Sequence, residues 1–245
     1  MKLLSHFFFL MLCLGCSAEA TLKIATASNM KFAMEEIVEL FQNSHNVEVD
    51  IVLGSSGGLT SQIENGAPHD IFVSADTKYP NYLFELGITS EQPKVYGSGK
   101  LVLWSLKDVE PSLTILTTPK INSIAVSNPK TAPYGELTKH VLATLGMYEN
   151  VYSKLVFGES ISQCDTYIYS GAVDVGITSM ASVKSKQMEG VGNWIEIDSS
   201  LYDYLPQSAV LIKTKQPHAS AQLFYEFLFS NEVKTILRSY GYQVD

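Results

Sequence analysis

The stretch Asp70-Ile71-Phe72-Val73-Ser74 is apolar through its centre, the pattern of a strand covered on both faces by helices. Immediately upstream, Leu59, Ile63 and Glu64 fit a helix stopped by Asn65-Gly66 and Pro68, and Gly54-Ser55-Ser56-Gly57-Gly58 leads into it. Before that, residues 47–53 alternate as a strand, Phe32, Ile37, Leu40 and Phe41 mark a helical face, and Leu22-Lys23-Ile24-Ala25-Thr26 is a short strand. The order β-α-β-α-β predicts parallel α/β architecture.

Downstream the pattern returns. Leu101-Val102-Leu103-Trp104, Ser123-Ile124-Ala125-Val126, Lys154-Leu155-Val156-Phe157, Asp174-Val175-Gly176-Ile177-Thr178 and Ala209-Val210-Leu211-Ile212 read as strands. Helices are expected over 136–145, through Tyr169, and at the end, where Leu223, Phe224, Phe227 and Leu228 form one face. The chain has 245 residues, 46% hydrophobic and 17% charged, which excludes disordered and fibrous classes. Two α/β lobes of about 100 residues each fit this length. The net charge of -8 and the lack of a basic stripe argue against nucleic acid.

Met1-Lys2, the apolar residues 7–14 and Ala18-Glu19-Ala20 read as a secretory signal over residues 1–20, with a mature chain from Thr21. Leu14-Gly15-Cys16 also reads as a lipidation box, with Cys13 where Leu is usual, and would make Cys16 the first residue. Both readings take the protein out of the cytoplasm. Beyond this segment only Cys164 remains, so no internal disulfide is expected and Cys164 reads as a small buried hydrophobe.

The chemistry concentrates where strands hand over to helices. Ser28-Asn29, Ser55-Ser56-Gly57-Gly58, Pro133-Tyr134-Gly135 and Ser160-Ile161-Ser162 all open helices with small polar residues. Helix N-termini expose unpaired N–H groups and partial positive charge, and ligands of parallel sheets bind at the carboxyl ends of the strands. Four such starts can surround a compact anion without Lys or Arg. Each is also an ordinary N-cap taken singly; four in one chain favour the joint reading. Two glycines in a first turn weaken a helix, so Gly57 and Gly58 suggest backbone N–H groups offered to a ligand.

An alternative is a secreted serine hydrolase. Gly54-Ser55-Ser56-Gly57-Gly58 also reads as G-x-S-x-G with Ser56 as nucleophile, and Asp174, Asp198 or Asp203 with His218 would complete the order Ser, Asp, His. Against it, two strands precede the turn and no H-G-G-G loop is present. No histidines pair at metal-ligand spacing, and neither a phosphate-binding loop with its lysine nor G-x-G-x-x-G occurs. No cofactor is expected.

Lys23-Ile24-Ala25-Thr26-Ala27-Ser28-Asn29-Met30, Gly54-Ser55-Ser56-Gly57 and the run Gly66-Ala67-Pro68-His69-Asp70-Ile71-Phe72-Val73-Ser74-Ala75-Asp76 resemble the periplasmic molybdate-binding proteins of ABC importers, and Asn128-Pro129 through Gly135 looks like their second-lobe motif. The resemblance covers nearly all of residues 21–245. It implies a type II periplasmic binding protein of two mostly parallel α/β lobes joined by a hinge, 21–101 with 205–245 and 102–204. It further implies a monomer in the periplasm that captures molybdate or tungstate and delivers it to an inner-membrane permease, with no catalysis. Carried over singly, Ser28, Asn29 and Ser56 match first-lobe ligand positions, while Tyr134 and Ile161 match second-lobe backbone donors. Some members place a tyrosine hydroxyl where this chain has Ser179. A fully deprotonated dianion offers only acceptors, so its site should consist of donors. The crossings between lobes are expected near 98–104 and 201–210, with Pro206 stiffening one.

Overall fold

The computed structural model describes residues 21–202, 205–215 and 217–245. The signal segment, with its cleavage site and Cys16, lies outside the described residues, as does Asp203. The chain begins β1 (Leu22–Ala27), α1 (Lys31–Ser44), β2 (Val49–Gly54), α2 (Ser56–Glu64), β3 (Ile71–Val73), α3 (Lys78–Glu85) and β4 (Lys94–Ser98). It crosses through Gly99-Lys100 into β5 (Leu101–Ser105), β6 (Ile124–Ser127), α4 (Pro133–Thr144), α5 (Tyr148–Val151), β7 (Leu155–Gly158), α6 (Ile161–Tyr169), β8 (Val175–Ser179), α7 (Met180–Val183) and β9 (Asn193–Glu196). It then returns to β10 (Pro206–Leu211) and ends in α8 (Ala221–Phe227) and α9 (Asn231–Ser239).

The strands form two five-stranded sheets, ordered β2-β1-β3-β10-β4 and β7-β6-β8-β5-β9. Both have the same plan. β1 pairs in parallel with β2 and β3, as β6 does with β7 and β8. β10 is antiparallel to both neighbours, and so is β5. Each sheet is therefore mixed, and its one reversed strand is the strand that the chain enters on arriving from the other sheet.

The central strands read as expected because helices cover both faces: every residue of β3, β5, β6 and β8 is buried. On the first sheet, the apolar face of α1 packs with the C-terminal helices, where Phe41 meets Phe224 edge-on at 4.9 Å. The expected single final helix is two, because Ser230 caps a new one, its hydroxyl accepting from Val233 N–H. α2 stops where expected, at Gly66 with φ of 86°, a value that glycine adopts without strain. Among the described residues, no helix is long and apolar enough to cross a membrane.

Candidate functional site

The carboxyl ends of β1, β2, β6 and β7 face one another across the gap between the sheets, and the helix starts that follow them enclose a small cavity. Its lining includes Ser28 and Asn29 after β1, Ser55 and Ser56 after β2, Pro133 and Tyr134 after β6, and Ile161 after β7, with small residues such as Ala27, Gly54, Ala75 and Ala132 between them. All five residues singled out from sequence, Ser28, Asn29, Ser56, Tyr134 and Ile161, thus line one space, and each is buried. Among the described residues, no acid, histidine or lysine is in the lining.

The helices α2 and α6 are capped alike. The Ser55 hydroxyl accepts from Gly58 N–H, and the Ser160 hydroxyl accepts from Gln163 N–H. The next N–H towards the start crosses to the other sheet's side in both helices. Gly57 N–H donates to the Thr131 carbonyl at 2.8 Å, and Ser162 N–H donates to the Ser28 hydroxyl at 3.2 Å. The first N–H groups, on Ser56 and Ile161, have no acceptor among the described residues, and both residues line the cavity. α4 differs because Pro133 occupies its first position and has no N–H, so Tyr134 supplies the first donor.

The glycine pair therefore has a different use from the one expected. Neither glycine N–H is left for the cavity, since Gly57 bonds Thr131 and Gly58 bonds Ser55. Gly57 is needed for close approach: a Cβ there would lie 2.6 Å from the Tyr79 hydroxyl oxygen and 2.9 Å from the Thr131 carbonyl oxygen.

The side chains differ in how they are held. The Ser56 hydroxyl accepts from Ala75 N–H at 3.0 Å, which fixes its oxygen and leaves its own proton for another acceptor. Asn29 donates its side-chain amide to the Gln207 side-chain oxygen and to the Tyr242 hydroxyl, both at 2.9 Å, so its two side-chain donors point away from the cavity. The Tyr134 hydroxyl receives a hydrogen bond from Gln207 Nε2, and burial pushes its pKa well up, so it stays protonated. Ser179 lies outside the lining. It caps α7 and accepts from Ser182 N–H. Ser182 in turn donates to Asp165, a buried carboxyl that also accepts from Thr178. Burial pushes Asp165 up to about 6, against the pull of those two donors and of Lys31. Cys164 is buried and its thiol is pushed up to about 12 by burial, as suits an unreactive packing residue.

The hydrolase constellation does not assemble. Among the described residues, the cavity around Ser56 holds no general base. His218 lies beyond the opposite end of β3, where its N–H faces Asp70 and its ring accepts from Ser220 N–H. Asp174 is bound at the start of β8 by the Asn122 and Ser123 N–H groups and Lys107, and Asp198 caps an exposed turn.

Residues 22–243 match the family described as bacterial extracellular solute-binding protein. The chain belongs to that family. Among the relatives of this solute-binding protein is the molybdate-binding protein ModA of Azotobacter vinelandii, 33% identical over 234 residues that cover 94% of this chain and 92% of the relative. The molybdate-binding protein ModA of Rhodobacter capsulatus is 36% identical, with coverage of 89% and 86%. The solved Azotobacter vinelandii periplasmic molybdate-binding protein superposes with a TM-score of 0.85 at 31% identity, covering 91% of this chain and 99% of that one. The family is one of solute capture, which agrees with a cavity that has donors and, among the described residues, no base.

Three residues of this solute-binding protein escaped the sequence: Gln207, Tyr96 and Tyr242. They are buried: Gln207 and Tyr242 bond Asn29, Gln207 also bonds Tyr134, and Tyr96 bonds Gln207. Gln207 lies on β10, Tyr96 on β4 and Tyr242 after α9, so no local pattern in the sequence marks them as one group.

Proposed function

We propose that this chain captures molybdate, and tungstate by the same chemistry, as the periplasmic component of an ABC importer. The observation that carries this reading is the pair of first-position N–H groups, on Ser56 and Ile161, offered to a cavity lined by donors and, among the described residues, free of acids. An acceptor-only dianion suits such a cavity, and relatives carrying the name molybdate-binding protein support the choice of anion. Ser28, Ser56, Tyr134 and Ile161 are the proposed ligand donors. Asn29 contributes through its backbone, its side chain being committed elsewhere. Ser179 contributes nothing directly.

The proposed lobes are 21–101 with 205–245 and 102–204, closing as a hinge at the two crossings. Several contacts bridge the sheets: Gly57 to Thr131, Ser162 to Ser28, and the Lys78–Glu136 ion pair at 3.3 Å. They support a closed arrangement that the anion stabilises and a membrane permease recognises, since ligand favours whichever state binds it better. Export, processing before Thr21 and action as a monomer belong to the same proposal. With a net charge of -8, long-range attraction adds little, so affinity should change little with moderate salt.

Calorimetry of the chain from Thr21 against molybdate, tungstate, sulfate and phosphate tests this. The expected result is tight one-to-one binding of the first two. Phosphate binding with no response to molybdate or tungstate would overturn it. Small-angle scattering tests the hinge: the radius of gyration should fall on adding molybdate, and an unchanged value with tight binding would mean a preformed cavity.

A further inference from the structure

Gln207 is fully buried on β10, directly after the return crossing, and its amide is used at both ends. Its Oε1 accepts from Asn29 Nδ2 at 2.9 Å and from the Tyr96 hydroxyl at 2.8 Å. Its Nε2 donates to the Tyr134 hydroxyl at 3.1 Å. Asn29 and Tyr134 line the cavity from opposite sheets, whereas Gln207 is not in the lining. Gly99, on the outward crossing, abuts the same point, and a Cβ there would collide with the Tyr134 hydroxyl and the Gln207 amide. One side chain therefore ties a cavity residue from each sheet together at the place where both crossings meet.

We propose that Gln207 is a positioning residue for anion capture: it sets Asn29 and Tyr134 together, so that closure and the orientation of the helix-start donors occur as one event. This rests on the reading of the cavity as an oxyanion site. The role requires an acceptor and a donor on one neutral side chain. A methionine of similar length supplies neither and leaves buried polar groups unpaired. A glutamic acid supplies both when protonated. When ionised it puts a negative charge beside the anion. Burial holds such a carboxyl protonated well above its usual range. The titratable groups facing this position are Tyr96, Tyr134 and Tyr242, all kept protonated by burial; Asp76 acts on Tyr96 and Tyr202 on Tyr134.

The experiment measures molybdate affinity at pH 6 and pH 9 for wild type, Gln207→Met and Gln207→Glu. Gln207→Met should bind about 10- to 100-fold more weakly at both pH values, in line with the loss of charge-neutral buried hydrogen bonds. Gln207→Glu should come within about threefold of wild type at pH 6 and lose about 100-fold at pH 9, whereas wild type changes little. A residue that merely fills space would give Gln207→Met wild-type affinity, and that result overturns the proposal, as does Gln207→Glu at pH 6 binding no better than Gln207→Met. If Gln207→Met fails to fold, Tyr134→Phe removes the same bridge while keeping the backbone donor. It should show the same loss, and wild-type affinity there overturns the coupling. Wild type that binds none of the oxyanions overturns the functional reading and this proposal with it. Tight wild-type binding with unaffected variants overturns this proposal alone.

Discussion

The helices α2 and α6 occupy the same place in the two sheets, each following the edge strand beside the central parallel pair, and they solve the same task with different side chains. Both have a serine N-cap bonded to the third N–H, and both send the second N–H across the gap. Two of their differences bear on the cavity: the first residue, Ser56 against Ile161, and the fifth, Thr60 against Asp165. Ser56 adds a hydroxyl to the first N–H. Ile161 adds only a buried apolar side chain packed in the second sheet's core. The shared feature is the backbone donor, so an apolar first residue does not remove a helix start from the proposed anion shell. Thr60 bonds within its own helix, to the Ser56 carbonyl, whereas Asp165 is a carboxyl buried one turn below a cavity proposed to hold an anion.

The largest effect is expected where the backbone donor itself is removed. Ile161→Pro deletes the first N–H of α6 and keeps the helix, because proline is favoured at that position. Ser160 has φ of -151° and ψ of 168°, an extended conformation that a following proline tolerates. A hydrogen bond to a charged group contributes about 1.5–3 kcal/mol, so molybdate affinity should fall about 10- to 150-fold. Ile161→Ala, which keeps the N–H and loses comparable packing, is the control. Calorimetry showing the two variants equal would break the comparison, since Ile161 would then act only through its side chain.

The two serines should separate next. Each variant, Ser28→Ala and Ser56→Ala, should weaken molybdate binding about tenfold or more through a lost charge-assisted hydrogen bond. Their melting behaviour without ligand should differ. The Ser56 hydroxyl is bonded inside its own sheet's side, and removing it leaves the buried Ala75 N–H unpaired, at about 1–3 kcal/mol of stability. The Ser28 hydroxyl is bonded by Ser162 from the other side, a contact that opening would surrender to water. Thermal unfolding of ligand-free Ser28→Ala should match wild type, whereas ligand-free Ser56→Ala should melt several degrees lower. Equal ligand-free melting for the two would show that Ser28 is held as firmly as Ser56 before closure.

What the sequence could show follows from which interactions are local. Residues 71–73 and 101–104 read as strands because burial on both faces makes them apolar throughout, and the helix starts read as sites because their serines and glycines are adjacent in the chain. α3 escaped notice with Pro80 inside it and exposed Tyr82 and Phe84 blurring its face. The edge strands β4 and β9 escaped because half-exposed strands carry polar residues. α4 begins at Pro133, three residues before the expected Glu136, since proline serves at a helix start as well as in a loop. Gln207 was beyond reach. Its partners are Asn29, Tyr96 and Tyr134, separated from it by 178, 111 and 73 residues, so nothing nearby in the chain marks it. The use of Gly57 was hidden for the same reason, because Thr131 and Tyr79 meet it only in the folded chain.

The smallest effect on binding concerns the fifth residue of α6, and it sharpens the contrast with Thr60. Burial pushes Asp165 up to about 6, above the ordinary value of 3.8 for an aspartate, although Thr178 and Ser182 donate to it. Between those two pH values the folded protein binds more protons at this site than the unfolded chain does. Stability from this group is therefore highest below about pH 4, declines as pH rises towards 6, and is level above that. Asp165→Asn keeps an acceptor for Thr178, lets Ser182 reverse its hydroxyl, and removes the titration. Relative to wild type it should gain stability as pH rises from 4 to 7, on the order of 1–3 kcal/mol at the upper end. It should bind molybdate at pH 8 as tightly as wild type or at most about threefold tighter, because one buried negative charge near the anion is gone. Thermal unfolding of both proteins across pH 4–8 checks the sign: a stability difference that shrinks as pH rises would mean that Asp165 is ionised and favourably paired, making the fifth residue of α6 an electrostatic support where Thr60 is only a local bond.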